Sequence, residues 1–269
     1  EEQQQVRTAL NADPALVVFD MATGEMAADP ARARALIGAY QKSGAPCAWI
    51  DASAPYQIVD SETWPIDLLI APYTTTNDYP GWTGARSALG AHYAVIRPEV
   101  SRLRQIRSAR PHAAEHLVVT LGGADPCDMT QAVLRALLPI AHHWARITVV
   151  IGPAFSGKAR RTIHALASRN STNIEVLENP PHLPELIAAS DLTITGGGTT
   201  KYELACLGTP MIVLPHDRPH QIMSSALVER VKATMLPVSS ATQTGRLRAR
   251  LMQAQKNRSW RFQSGVRGQ

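Results

Sequence analysis

Residues 192–210 read L-T-I-T-G-G-G-T-T-K-Y-E-L-A-C-L-G-T-P. A short β-branched run stops at three glycines, Gly196, Gly197 and Gly198. Thr199 and Thr200 follow, and a helix-like stretch then carries Glu203. Glycines at a strand-to-helix turn let backbone amides come close to a ligand, and the helix N-terminus behind them favours negative charge. The pattern predicts a diphosphate at residues 197–201, with Glu203 one turn inside the helix as acceptor for two ribose hydroxyls. A turn that only closes a helix onto a strand needs one glycine or two; three glycines, two hydroxyls and an acid go beyond that. Lys201 either adds a cation near the phosphates or points to solvent.

Working outward, strand-like and helix-like stretches alternate, which predicts an α/β fold of parallel sheets with helical crossovers. Strands are expected at 116–121, 146–152, 174–177, 192–195, 211–214 and 234–238. The helices between them are 129–138, 159–168, 183–189, 201–207 and 221–230. Asp128 is the expected cap of the helix at 129, with Gln131 as its capping-box partner. Five or six such repeats fill one doubly wound domain. Upstream, a helix at 1–10, a buried strand at 15–20, a helix at 30–44 ending on Gly44, strands at 47–51 and 68–71, a loop at 73–84 and an extended 89–98 make a partial Rossmann-like unit. The expected division is 1–101 for this first unit, 102–115 for a polar linker, 116–238 for the second unit and 239–269 for a basic helix and tail.

Gly122 and Gly123, with Asp125 close behind, make a second glycine turn at the carboxyl end of a strand. In an open parallel sheet the ligand crevice lies outside those ends. Ordinary turn chemistry explains Asp125 equally well. Gln221 follows the loop 216–220 and either meets a sugar hydroxyl or faces water. His216 and His220 lie in that loop, and His182 is placed to line a base pocket through backbone groups. No G-K-[ST] closes a phosphate loop: F-S-G-K at 155–158 is followed by Ala159. No G-x-G-x-x-G dinucleotide turn is present either.

The formal charge of +5 is a property of the tail. Residues 241–269 hold seven basic residues and no acid, which leaves about −2 for the rest. The charge therefore gives no reason to expect a nucleic-acid partner. The tail is expected to be a solvated amphipathic helix, with an anionic surface as its possible contact. Cys47, Cys127 and Cys206 are far apart and give no disulfide framework; buried positions in a reducing cytosol are expected for them. The nine histidines include His142–His143 and His216 with His220, and neither set carries a carboxylate or thiol pattern that reads as a zinc site, so no metal and no cofactor is expected. No run approaches the roughly 20 apolar residues of a membrane span, and no signal peptide is visible after the opening Glu1–Glu2, so the expected location is cytoplasmic.

Three runs, V-V-T-L-G-G-A-D at 118–125, L-T-I-T-G-G-G-T-T-K-Y-E at 192–203 with G-T-P at 208–210, and L-G-A-H-Y-A-V-I-R-P-E at 89–99, resemble one family. It is the hydrolase of UDP-2,4-diacetamido-2,4,6-trideoxy-β-L-altropyranose in pseudaminic acid biosynthesis, a relative of the MurG-type glycosyltransferases. The resemblance covers residues 89–238 well and the earlier part loosely. It implies a GT-B-like pair of Rossmann-like domains, the first incomplete here. It also implies metal-independent cleavage of the anomeric C–O bond of a UDP-sugar, with release of UDP. Carried across, Gly197, Gly198, Thr199 and Thr200 bind the diphosphate, Glu203 the ribose and Gln221 the sugar, while Gly122 and Gly123 line the cleft. The family opens with a glycine-rich loop bearing a histidine that serves as base toward water, and the present sequence starts after that point. The family also favours D-x-Y where residues 20–22 read D-M-A, which leaves Asp20 as the in-chain candidate for the base. A glycosyltransferase using an acceptor hydroxyl, and a binder without catalysis, stay open beside the hydrolase.

Overall fold

The computed structural model describes residues 14–20, 30–42, 44–50, 66–73, 86–106, 115–169, 173–236 and 244–266. The expected helix at 1–10 and the loop from residue 74 on lie outside them. The chain divides into two compact units, residues 1–94 and 95–269.

Among the described residues the first unit holds four strands, β1 (Val17–Asp20), β2 (Cys47–Ile50), β3 (Leu68–Ala71) and β4 (Ser87–Leu89), paired in parallel in sequence order. Its helix α1 (Pro30–Gln41) ends before Gly44, whose φ of +81° is the left-handed geometry expected after a helix C-terminus. β1 is not the buried strand expected from its apolar run. It lies at the sheet edge, so its residues alternate: Phe19 is buried against Tyr40 and Trp49, and Val18 is 51% exposed. The expected extended run at 89–98 is interrupted by a 3-10 turn at Ala91–Tyr93.

The second unit carries β5 (His116–Thr120), β6 (Arg146–Ile151), β7 (Ile174–Glu178), β8 (Leu192–Gly196), β9 (Met211–Leu214) and β10 (Thr234–Met235) in one parallel sheet. The order is β10-β9-β8-β5-β6-β7. Numbered within the unit and read from the β7 edge, this is 3-2-1-4-5-6, the doubly wound Rossmann order. Strands buried on both faces read as continuous apolar runs, and β9 (M-I-V-L) is buried at every position. The topological switch point falls between β5 and β8, which pair from Leu117↔Leu192 to Thr120↔Thr195. Both glycine turns therefore leave from the two strands that flank it.

Among the described residues six α-helices accompany this sheet up to residue 231: α2 (Pro98–Ile106), α3 (Met129–Leu137), α4 (Gly157–Ser168), α5 (Leu183–Ala189), α6 (Thr200–Leu207) and α7 (Arg218–Val231). Two more, α8 (Thr244–Lys256) and α9 (Arg258–Val266), follow. The polar stretch from Arg102, read above as linker, begins inside α2, which packs on α5 and α6 through its buried Val100. The basic tail is not a solvated appendage either. Leu247, Leu251 and Ala254 of α8 are buried in the same cluster as Leu134, Leu137 and Val149. The cations of the tail serve the fold: Arg248 Nε donates to the Ala136 carbonyl at 3.3 Å, and the 8%-exposed Arg261 donates to the carbonyls of Ala254 and Gln255 at 2.5 and 2.6 Å. Cys47 is buried as expected, but Cys127 is exposed. Among the described residues no helix is long and apolar enough to cross a membrane.

One cap differs from the expected one. Asp128 occupies the N-cap of α3 with φ +53° and makes no side-chain cap bond; its Oδ1 accepts from Gln131 instead. The buried carboxylate of Asp125 caps the helix, accepting from the amides of Met129 at 2.9 Å and Thr130 at 2.7 Å. The left-handed turns at both aspartates fold Asp125 under the helix start. Asp125→Ala is expected to cost about 1–2 kcal/mol, the range for a lost N-cap. Asp128→Ala should cost clearly less. Urea denaturation of the two variants checks the order, and an equal loss would return the cap to Asp128.

Candidate functional site

Three loops leave the carboxyl edge of the second sheet side by side: 121–128 after β5, 197–199 after β8 and 215–217 after β9. Their contacts are tight because glycines allow it. A Cβ on Gly196 would stand 3.4 Å from the Leu121 carbonyl oxygen, and one on Gly197 would stand 2.7 Å from His220 Cβ. Gly197 is thus explained by packing alone. Gly198 is different: a Cβ there would meet nothing within 4 Å, and its backbone is exposed. Packing gives no reason for a glycine at 198, whereas close approach of a ligand to its amide does.

α6 starts just beyond. Thr199 is its N-cap without a side-chain cap bond; Thr199 is exposed and Thr200 half-buried. The first amides of a helix have no partner within it, so this uncapped, open helix start directs N–H groups outward at the switch point. Lys201 takes neither of the two orientations expected for it. It is 2% exposed and turns inward, donating to the carbonyls of Gly197 and Gly198, with its Nζ 4.5 Å from the Tyr202 ring centroid. Burial pushes its pKa down to about 7, so near neutral pH the amine divides between its charged and neutral forms. Its role in the structure is to brace the glycine turn from within.

Glu203 is buried and paired. Arg97 Nε donates to its Oε1 at 2.7 Å and Arg97 Nη2 to its Oε2 at 2.6 Å. The hydrogen bond to Glu203 raises the Arg97 pKa further, against partial desolvation. An ionised carboxylate has about four lone-pair sites. The bidentate arginine takes two and fixes the carboxylate plane, leaving two for hydroxyl donors. Arg97 was not a candidate at the sequence level. Its signal lay in the L-G-A-H-Y-A-V-I-R-P-E run, which the structure joins to the Gly-Thr-Glu run through this pair.

Gly122 and Gly123 are exposed, and Gly122 needs its glycine for a φ of +91°. Beneath them lies Gly152, at the end of β6, another residue missed in the sequence. A Cβ there would fall 2.4 Å from the carbonyl oxygens of both Gly122 and Gly123. The Gly123 carbonyl also accepts from Ala154 N at 2.9 Å, which pins the turn to the edge of β6.

In the β9 loop Asp217 caps α7, accepting from the His220 amide at 2.8 Å. Its Oδ1 also meets His220 Nδ1 at 2.7 Å, and its Oδ2 stands 3.3 Å from His216 Nε2. Burial pushes the Asp217 carboxyl upward, but the backbone and ring hydrogen bonds from His220 outweigh it and hold the pKa below the usual range. Burial first, and the neighbouring His220 second, lower His216. Cys127 Sγ contacts the His216 carbonyl at 3.7 Å, tying the β5 and β9 loops together. Gln221 is exposed in the first turn of α7. His182 is exposed at the start of α5, away from this cluster in sequence and on the connection from β7. Asp20 lies in the first unit, exposed at the end of β1.

A parallel sheet in the doubly wound order, with helical crossovers, defines the second unit as a Rossmann-type α/β domain. Residues 116–265 match the glycosyltransferase family 28 C-terminal domain, and the chain belongs to that family. Similar solved structures share the fold at low identity. MurG of Acinetobacter baumannii aligns with a TM-score of 0.63 at 15% identity, covering 98% of this chain and 71% of that one. MnaA of Staphylococcus aureus, solved with UDP, gives 0.64 at 13%, covering 98% and 73%. The UDP-GlcNAc 2-epimerase of Neisseria meningitidis, bound to UDP-GlcNAc, gives 0.62 at 15%, covering 98% and 74%. The two parallel-sheet units are therefore Rossmann-like domains of the GT-B kind. An uncharacterized protein of Methanocaldococcus jannaschii is 30% identical over 127 residues, which is 46% of this chain and 26% of that protein. The chain thus spans about a quarter of that relative.

Proposed function

We propose that the protein binds a UDP-linked sugar on the second unit and hydrolyses its anomeric C–O bond, releasing UDP. The observation that carries this reading is the start of α6 at the switch point, with nothing within 4 Å of a Cβ placed on the exposed Gly198 and with Glu203 held in place one turn inside. The diphosphate lies against the amides of 198–200, the ribose hydroxyls on Glu203 and the sugar beside Gln221 and the turn Gly122–Gly123. In the reaction a water oxygen bonds to the anomeric carbon as the bond to the diphosphate oxygen breaks. The helix start stabilises the charge that builds on the leaving group. The proton lost by water passes to a general base. The diacetamido-trideoxy sugar is the substrate class that the three sequence runs favour.

Membership in a glycosyltransferase family favours transfer to an acceptor hydroxyl as the second reading. One experiment separates the readings: UDP release from UDP-diacetamido-trideoxy sugar and from UDP-GlcNAc, with and without acceptor, beside calorimetric titration with UDP. Release without acceptor supports the hydrolase, and release only with acceptor the transferase. Saturable UDP binding without turnover leaves a binder. Absence of saturable UDP binding at millimolar concentration removes the site itself.

A further inference from the structure

Two histidines and one aspartate converge on the loop after β9, a grouping that the nucleotide reading does not use. Each offers one donor atom, and the three donors lie within 4.8 Å of one another. We propose that His216, Asp217 and His220 form a binding site for a divalent transition-metal ion of the zinc type.

One of the three donor pairs already has the spacing such an ion needs. Metal–ligand bonds of about 2.0–2.2 Å at tetrahedral angles place neighbouring donors roughly 3.4 Å apart. His216 Nε2 and Asp217 Oδ2 already stand 3.3 Å apart. The donor set selects the metal: two imidazoles and one carboxylate suit zinc, cobalt or nickel, whereas magnesium and calcium take oxygen ligands.

Asp217 and the stem of His220 are also held in place before any ion arrives. Asp217 Oδ1 accepts from the His220 amide and meets its ring Nδ1, which fixes the carboxylate and turns Oδ2 toward His216. The His220 side chain is fixed by its contact with Gly197, where no Cβ fits. The two imidazole rings stand 3.9 Å apart between centroids, tilted by 43°, so shared ligation of a tetrahedral ion turns them apart. Three protein ligands leave a fourth position for water, the arrangement of an open zinc site. The i, i+4 spacing of the two histidines was a hint, passed over because Asp217 was not read as their partner; the turn into α7 folds both rings onto it.

The test uses the full chain with metal alone, so it stands apart from the nucleotide reading. Zinc is titrated calorimetrically in chelator-treated buffer without nucleotide, and cobalt absorption reports the coordination geometry. One ion per chain is expected. His216→Ala and His220→Ala should each weaken binding at least about 10–100-fold, the range seen even for loss of an outer-sphere partner. Replacing His142 and His143, whose rings also pair at 4.0 Å, should change nothing. His216→Gln is the second variant, should His216→Ala melt early. Failure of the wild-type chain to bind zinc at a single saturable site overturns the proposal, and so does binding that survives both histidine replacements.

Discussion

Glu203→Ala is expected to weaken UDP binding by about 1.5–3 kcal/mol, the scale for hydrogen bonds to a charged group, or ~10- to 150-fold in Kd. The direction follows from geometry. Arg97 already occupies one lone pair on each carboxylate oxygen, and the two that remain are those assigned to ribose hydroxyls. The variant should stay folded, because Arg97 is 39% exposed in its side chain and can turn to water. The reverse replacement behaves differently. Arg97→Ala strands a carboxylate that is 4% exposed, so stability falls along with affinity. Calorimetry with UDP, beside thermal melts of both variants, separates the two effects. An unchanged Kd in a folded Glu203→Ala protein ends the ribose assignment.

The second large effect is steric. Gly152→Ala places a methyl group 2.4 Å from two backbone oxygens, those of Gly122 and Gly123. Neither belongs to a side chain that can swing aside, so the turn must lift off β6 and lose the Ala154–Gly123 hydrogen bond. Overpacking of this kind costs about 1–3 kcal/mol and occasionally more. In a unit of this size each kcal/mol lowers Tm by about 2–4 °C. Gly123→Ala is the control, because a Cβ there meets nothing within 4 Å. A melt in which both variants match the wild type would show that the turn is not clamped in this way.

What could be read from the chain, and what could not, follows the range of the interactions. The β–α alternation of the second unit was legible because each strand is a short apolar run closed by turn residues, and burial on both faces leaves that run unbroken. The turn at 196–200 was legible because three adjacent glycines are locally conspicuous. Yet the three have separate surroundings: a Cβ on Gly196 would meet Leu121 and one on Gly197 would meet His220, whereas one on Gly198 would meet nothing within 4 Å. Arg97 was illegible because its partner is 106 residues away. Asp125 was passed over in favour of Asp128 because capping rules reach to the nearest acid, and two left-handed residues moved the better carboxylate into place. The pattern of the tail misled in another way. Seven cations suggested solvent or an anionic surface, but guanidinium groups of Arg248 and Arg261 instead satisfy backbone carbonyls, while the apolar stripe between them meets the core.

That last arrangement bears on where the second unit can be cut. Its sheet is finished at Met235, yet the back wall against Leu134 and Leu137 is supplied by residues 247–254. α9 then latches to the end of α7, Ser264 Oγ reaching the Lys232 carbonyl at 3.0 Å. An excised fragment that stops with the last strand would bare an oily face. A boundary at or beyond residue 264 retains both the cover and its fastening.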